Sequence, residues 1–192
     1  MGAANRSLSY RLHDALNVPL VGALSLLCIA GMLGAVDAGL ITQIFTGYIL
    51  LDTVWILASP SAVPRLAWAI VLHHAITLAI LYHPLQHQEY HIETCRNGVV
   101  ELNTFFLIVR RQLRRGSLLN RACDLAYHLT LSIRFLWQPY LIWHFHKISL
   151  LEAGVSTPLE RPFLLGSQVL LVSFNCLMVL PGMLAKKKPK KA

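Results

Sequence analysis

The sequence predicts an all-α fold, a polytopic membrane helix bundle of about six transmembrane helices. Composition is the first reason: 55% of the 192 residues are hydrophobic and 14% charged, with a mean hydropathy of +0.54, whereas water-soluble domains carry about 25% charged residues. Segment length is the second. Apolar runs fall at Val18 to Val36, Leu40 to Ala58, Leu66 to Tyr82, Gly98 to Val109 (extending toward Leu113), Ala122 to Phe145 and Phe163 to Leu184. A helix needs roughly 17–25 such residues to cross a ~30 Å hydrocarbon core, and only helices satisfy their own backbone hydrogen bonds at these lengths. The third reason is charge placement. With the lysine-rich end cytosolic, thirteen of the seventeen basic residues share that side: Arg6, Arg11, Arg65, the Arg110 to Arg121 cluster and the tail lysines. Only Arg96, Lys147 and Arg161 face the other side, as the positive-inside rule requires.

In chain order, residues 1–17 read as a cytosolic N-terminal segment, 18–184 as a single transmembrane domain and 185–192 as a basic cytosolic tail. The first apolar run is too long for a signal-peptide core and is kept as a helix. Met1-Gly2 begins like a myristoylation site, but Arg6 stands where Ser or Thr is wanted. Pro60 and Pro64 turn the chain between the second and third helices. The fourth segment is short and must tilt or be buried among its neighbours. The tail lysines Lys188 and Lys190 fit a retrieval signal of the endoplasmic reticulum, or equally an anchor on anionic lipid. The net charge of +8 is thus explained by orientation, and no basic face with interleaved aromatics points to nucleic acid.

Polar residues inside these segments raise the functional question. Counting 1.5 Å per residue from the cytosolic boundaries, Asp52, His73, His74, Glu101 and His128 fall in one layer about 10–13 Å deep, with Asn175 and Arg134 deeper at about 16 and 19 Å. A charge at mid-membrane costs at least ~2.5 kcal/mol, so a mutually paired interior cluster is the economical arrangement. The ordinary alternative is interhelical hydrogen-bond glue, worth about 0.6 kcal/mol per residue. Adjacent residues diverge by ~100° on a helix, so His73 and His74 cannot point the same way; Thr77, one turn on, is placed to hold either. The spacing of His83, His87 and His91, with His144 and His146, brings metal ligation to mind, but without a His-x-x-His-His box these read as polar lumenal positions and no metal is expected. Cys28, Cys95, Cys123 and Cys176 form no metal or disulfide framework.

The runs TGYILLDTVW (with Gly47, Tyr48 and Asp52), LHHAIT, VVELNTFFLIVRRQL, LSIRFLWQPY and SFNCLMVL occur in this order over most of residues 40–184. Together they resemble the blocks of TLC-domain proteins, named for translocation-associated, longevity-assurance and neuronal-ceroid members, and within them the small TLC-domain-containing branch. The resemblance implies an endoplasmic reticulum protein concerned with membrane lipid composition. A second implication is a ceramide-synthase-like N-acyltransferase, moving a fatty acyl group from acyl-CoA to a sphingoid base. A third is a non-enzymatic translocation or cargo partner. Under acyl transfer, one of His73 and His74 would act at the thioester, Glu101 would orient it or accept a proton, and Arg134 would steady developing negative charge. Tyr48, Asp52, Thr77, His128, Arg134 and Asn175 would line the substrate site. Glu93, Thr94 and Asn97 stand where the synthases place a His-Asp and a further Asp. No cofactor is expected, with acyl-CoA entering only as a co-substrate. Membrane lipids are the expected partners, with self-association or another membrane protein left open.

Overall fold

The computed structural model describes residues 7–64, 66–151 and 159–184; the tail lysines lie outside them. The described residues form a helical bundle without strands: α1 (Leu8–Met32), α2 (Ala38–Ala58), α3 (Ala67–Gln86), α4 (His91–Gly98), α5 (Glu101–Gln112), α6 (Leu118–Ser132), α7 (Gln138–Leu151) and α8 (Glu160–Leu184). α1, α2, α3 and α8 are each long and apolar enough to cross a membrane. The other two expected segments are composite. α4 and α5 follow one another with a break at Val99 and Val100, and α6 runs into α7 through a π-helical turn, Ile133–Trp137.

α1 begins at Leu8, ten residues before the expected Val18. Ser7 caps it, accepting a hydrogen bond from the Tyr10 amide at 3.1 Å. Pro19 lies inside the helix; it removes one backbone donor without ending the helix. Asp37 caps α2 through the amides of Gly39 and Leu40, and Ser117 caps α6 through that of Asn120. Gly34 (φ +72°) and Gly116 (φ +82°) occupy left-handed positions in the α1–α2 and α5–α6 turns.

The amphipathicity is inverted relative to a water-soluble bundle. On α1, Leu12, Leu16 and Leu20 are exposed while His13, Asp14 and Asn17 are buried, and on α2 Leu51 and Val54 face outward while Asp52 is buried. Apolar side chains outward and polar side chains inward is the arrangement lipid favours and water does not. The protein is therefore a membrane protein.

α1 packs on α2, α4 and α5; α2 on α3 and α4; α3 on α8; α5 on α6; and α7 on α8. Ser7 donates to the Ser61 carbonyl at 3.1 Å, and the Ser9 and Ser59 hydroxyls are 2.7 Å apart, so the start of α1 and the α2–α3 turn share one end. The α5–α6 turn, with Arg110 bonded to Asp124 at 2.6 Å, belongs to the same end by the alternation of helix directions; it is termed the basic end. Toward the far end lies the apolar core, built from Leu24, Cys28, Ile41, Phe45, Ile49, Leu81 and Cys95. Small residues allow the approach there: a Cβ on Gly31 of α1 would stand 2.6 Å from the Cys95 sulfur of α4 and from Ile41 Cδ1.

Candidate functional site

Between the basic end and the apolar core, α1, α2, α3, α5, α6 and α8 enclose a cavity of about 370 Å³, within the range of ligand sites. Tyr48, Asp52, His73, His74, Glu101, Arg134 and Asn175, all anticipated from the sequence, line it. His13, Asp14 and Asn17 of α1 line it as well. Arg110 and Arg111 lie at its basic end, and Phe174, Met178 and Val179 of α8 supply an apolar wall.

Asp52 organises one side. His13 Nε2 lies 2.8 Å from Asp52 Oδ1. The Asn17 amide nitrogen is 2.9 Å from the same ring nitrogen and 3.4 Å from the same carboxylate oxygen, and Tyr48 donates its hydroxyl hydrogen to Asn17 Oδ1 at 3.1 Å. The other carboxylate oxygen faces His74 Nε2 at 3.6 Å, too long for a direct hydrogen bond. Thr53 sets that ring. Its single hydroxyl hydrogen goes to the Ile49 carbonyl at 2.6 Å, so at the 2.9 Å contact with His74 Nδ1 the hydroxyl must accept. His74 therefore carries hydrogen on Nδ1, and its contact with Asp52 is attractive when a further proton lies between them.

Arg134 organises the opposite side from within the π-helical turn, a wide turn that recurs at functional sites. It is 8% exposed. Its Nε donates to Asn103 Oδ1 at 2.6 Å, one terminal nitrogen to Asn175 Oδ1 at 2.7 Å and the other to Thr104 Oγ1 at 2.8 Å. Among the described residues no carboxylate comes within ion-pair distance of this guanidinium; Glu101, buried on α5 beside Thr104, is its principal electrostatic partner. Neutral acceptors thus hold the charge, each charge-assisted bond contributing about 1.5–3 kcal/mol against its desolvation.

The histidine pair divides its roles as the ~100° divergence of neighbours requires. His74 is buried against Asp52 and Thr53, while His73 stacks on Phe174 with ring centroids 5.1 Å apart. His73 Nδ1 is buried without a hydrogen-bond partner. Asp14 Oδ2 and Asn175 Nδ2 are also buried and unpartnered, and all three residues line the cavity. Leaving such atoms unpaired costs about 1–3 kcal/mol each, so three residues that carry one on the wall of a single cavity single it out as the candidate site.

Two expectations require correction. His128 does not join the layer: its side chain is 59% exposed on the outer face of α6, with Nδ1 2.7 Å from the Asp124 carbonyl. Depth along a helix places a residue at a level without saying which way it turns. Thr77 holds neither histidine ring; its hydroxyl donates to the backbone carbonyl of His73 at 2.9 Å, and it lines a small, mostly apolar cavity that adjoins the large one at His73 and Glu101. Asp52 stands 3.6 Å from His74 Nε2, and its direct partner is His13 at 2.8 Å. His13 was not among the expected site residues because it precedes Val18, where the first apolar run begins. The signal was present in the one-turn spacing of His13 and Asn17 after a Ser7 cap.

Glu93, Thr94 and Asn97 line the small adjoining cavity and not the large one. Glu93 bonds Arg96 and lies 3.2 Å from His144, Thr94 accepts from Thr42 at 3.0 Å, and Asn97 accepts from Gln138 and Gln168. Comparison of the chain with models of known protein families, with curated proteins and with solved structures finds no match.

Proposed function

We propose that this is a multi-pass endoplasmic reticulum protein of the TLC-domain type, with both termini cytosolic, that adjusts membrane lipid composition by taking the polar part of a lipid into the intramembrane cavity. One observation carries the reading: Asp14, His73 and Asn175, each with a buried polar atom that lacks a hydrogen-bond partner, line one cavity of about 370 Å³ with Arg110 and Arg111 at one end and an apolar wall on α8. A lipid headgroup would meet cations at the cytosolic surface and both donors and acceptors inside, while its chains lie against Phe174, Met178 and Val179. The experiment is lipid profiling of cells lacking the protein, rescued by the wild type or by His73→Ala with His74→Ala. A profile that does not change on loss of the protein defeats the reading.

A second reading, acyl transfer from acyl-CoA to a sphingoid amine, is favoured by the free Nδ1 of His73 beside Glu101 and Arg134 in the same cavity. There the amine nitrogen forms the new bond to the thioester carbonyl carbon, the carbon–sulfur bond breaks, and His73 carries the amine proton to the departing thiolate. Arg134 lowers the cost of negative charge on the carbonyl oxygen. Ceramide changes rescued only when both histidines are present select this reading. Phospholipid changes rescued equally by both forms select the non-enzymatic one.

A further inference from the structure

At the far end of the bundle, remote from the polar cavity, α3 and α8 bring three ligand-bearing side chains together. His83 lies in the last turn of α3, His87 is its C-cap residue and Glu160 opens α8. One donor atom from each falls within 4.8 Å of the other two. His87 Nε2 stands 3.8 Å from Glu160 Oε1, and the His83 and His87 rings are 4.7 Å apart between centroids. The three donor groups thus face one another where α3 meets α8.

We propose that His83, His87 and Glu160 bind one divalent transition-metal ion of the zinc class. Two imidazoles and a carboxylate are a donor set that borderline divalent ions take, commonly with a fourth position left for water. Bonds of ~2.0–2.1 Å in a tetrahedral arrangement place neighbouring donors ~3.3 Å apart, so the His87–Glu160 contact needs to contract by about half an ångström and the remaining donor pairs, within 4.8 Å of one another, by up to about 1.5 Å. Long side chains with intermediate exposure can make that adjustment.

The second coordination sphere supports the assignment independently. While His87 Nε2 faces Glu160, its other ring nitrogen faces Glu89 Oε1 at 3.7 Å. Metal-bound histidines characteristically direct their second nitrogen at such a carboxylate, which selects the tautomer and raises the basicity of the ligating nitrogen. His91, which continues the four-residue spacing, takes no part: its ring lies against α2, where a Cβ on Gly39 would stand 2.7 Å from His91 Nδ1. His83 also lines the small apolar cavity together with Tyr90 and Leu164, so the ion would pin α8 to α3 over that cavity.

The test uses the full chain, purified without a histidine tag in detergent or nanodiscs and stripped with chelator. Titration with Co²⁺ should give a visible absorption band saturating at one equivalent and displaced by Zn²⁺, and Zn²⁺ should raise the thermal midpoint. His83→Ala with His87→Ala should abolish the band. Glu160→Gln should weaken binding, Glu89→Gln should weaken it roughly 10–100-fold, and His91→Ala should leave it unchanged. Binding retained in the double variant, no saturation at one equivalent, or equal losses for Glu89→Gln and His91→Ala would overturn the proposal. The two conservative Gln variants keep the test decisive if the double variant fails to fold.

Discussion

Asp52 of α2 makes its direct contact with His13 of α1, 2.8 Å away and equally buried, while His74 of the histidine pair stands back at 3.6 Å. The carboxylate is thus shared between two helices that meet at the basic end, and α1 becomes part of the site rather than a peripheral span.

Removing Asp52 should therefore damage the bundle. Asp52→Ala leaves His13 and Asn17 without their shared acceptor and removes the carboxylate that faces His74, and each buried polar group left unpaired costs about 1–3 kcal/mol. His128→Ala, on the exposed face of α6, should stay within about 0.5 kcal/mol of the wild type. Thermal unfolding in detergent separates them, and equal effects would mean that Asp52 is not structurally paired.

Arg134→Lys should not be a conservative change. Three acceptors on α5 and α8 match the fork of a guanidinium, and a single ammonium cannot reach all three. Loss of one such bond costs about 1.5–3 kcal/mol. A lysine variant with an unchanged unfolding midpoint would show that the fork geometry is not needed.

Gly31 and Gly47 should respond oppositely to alanine. A Cβ at Gly31 collides with Cys95 and Ile41, whereas one at Gly47 meets nothing within 4 Å. Gly31→Ala should destabilise by about 1–3 kcal/mol through overpacking, and Gly47→Ala should be neutral or stabilising by up to ~1 kcal/mol through helix propensity. The comparison reads directly on the close α1–α4 crossing.

A cysteine placed at Gln88, exposed in the turn between α3 and α4, should react with an impermeant maleimide only after intact microsomes are opened. Cys28, Cys95 and Cys123 are buried and should contribute little background. Labelling of sealed vesicles would reverse the proposed orientation.

Replacing Lys188 and Lys190 with serine should let the protein leave the endoplasmic reticulum for later compartments. Imaging the full-length variant beside markers of both compartments checks this, and an unchanged reticular pattern would leave the lysines as a lipid anchor.

The sequence by itself determined the membrane character, the helical class and the level at which polar residues lie, because apolar length and residue count along a helix are one-dimensional quantities. Asp52, His73, His74, Glu101, Arg134 and Asn175 meet on one cavity as their matched depths suggested. Direction around the helix axis was not legible in the same way. His128 lies at a suitable depth and turns outward, whereas His13, placed before the expected helix, turns inward to Asp52. Only tertiary packing decided those rotations, since they depend on which neighbour each helix face meets. The same holds for His83, His87 and Glu160: a spacing of four residues aligns the two histidines on one face, but Glu160 arrives from α8, far along the sequence, through the packing of α8 on α3.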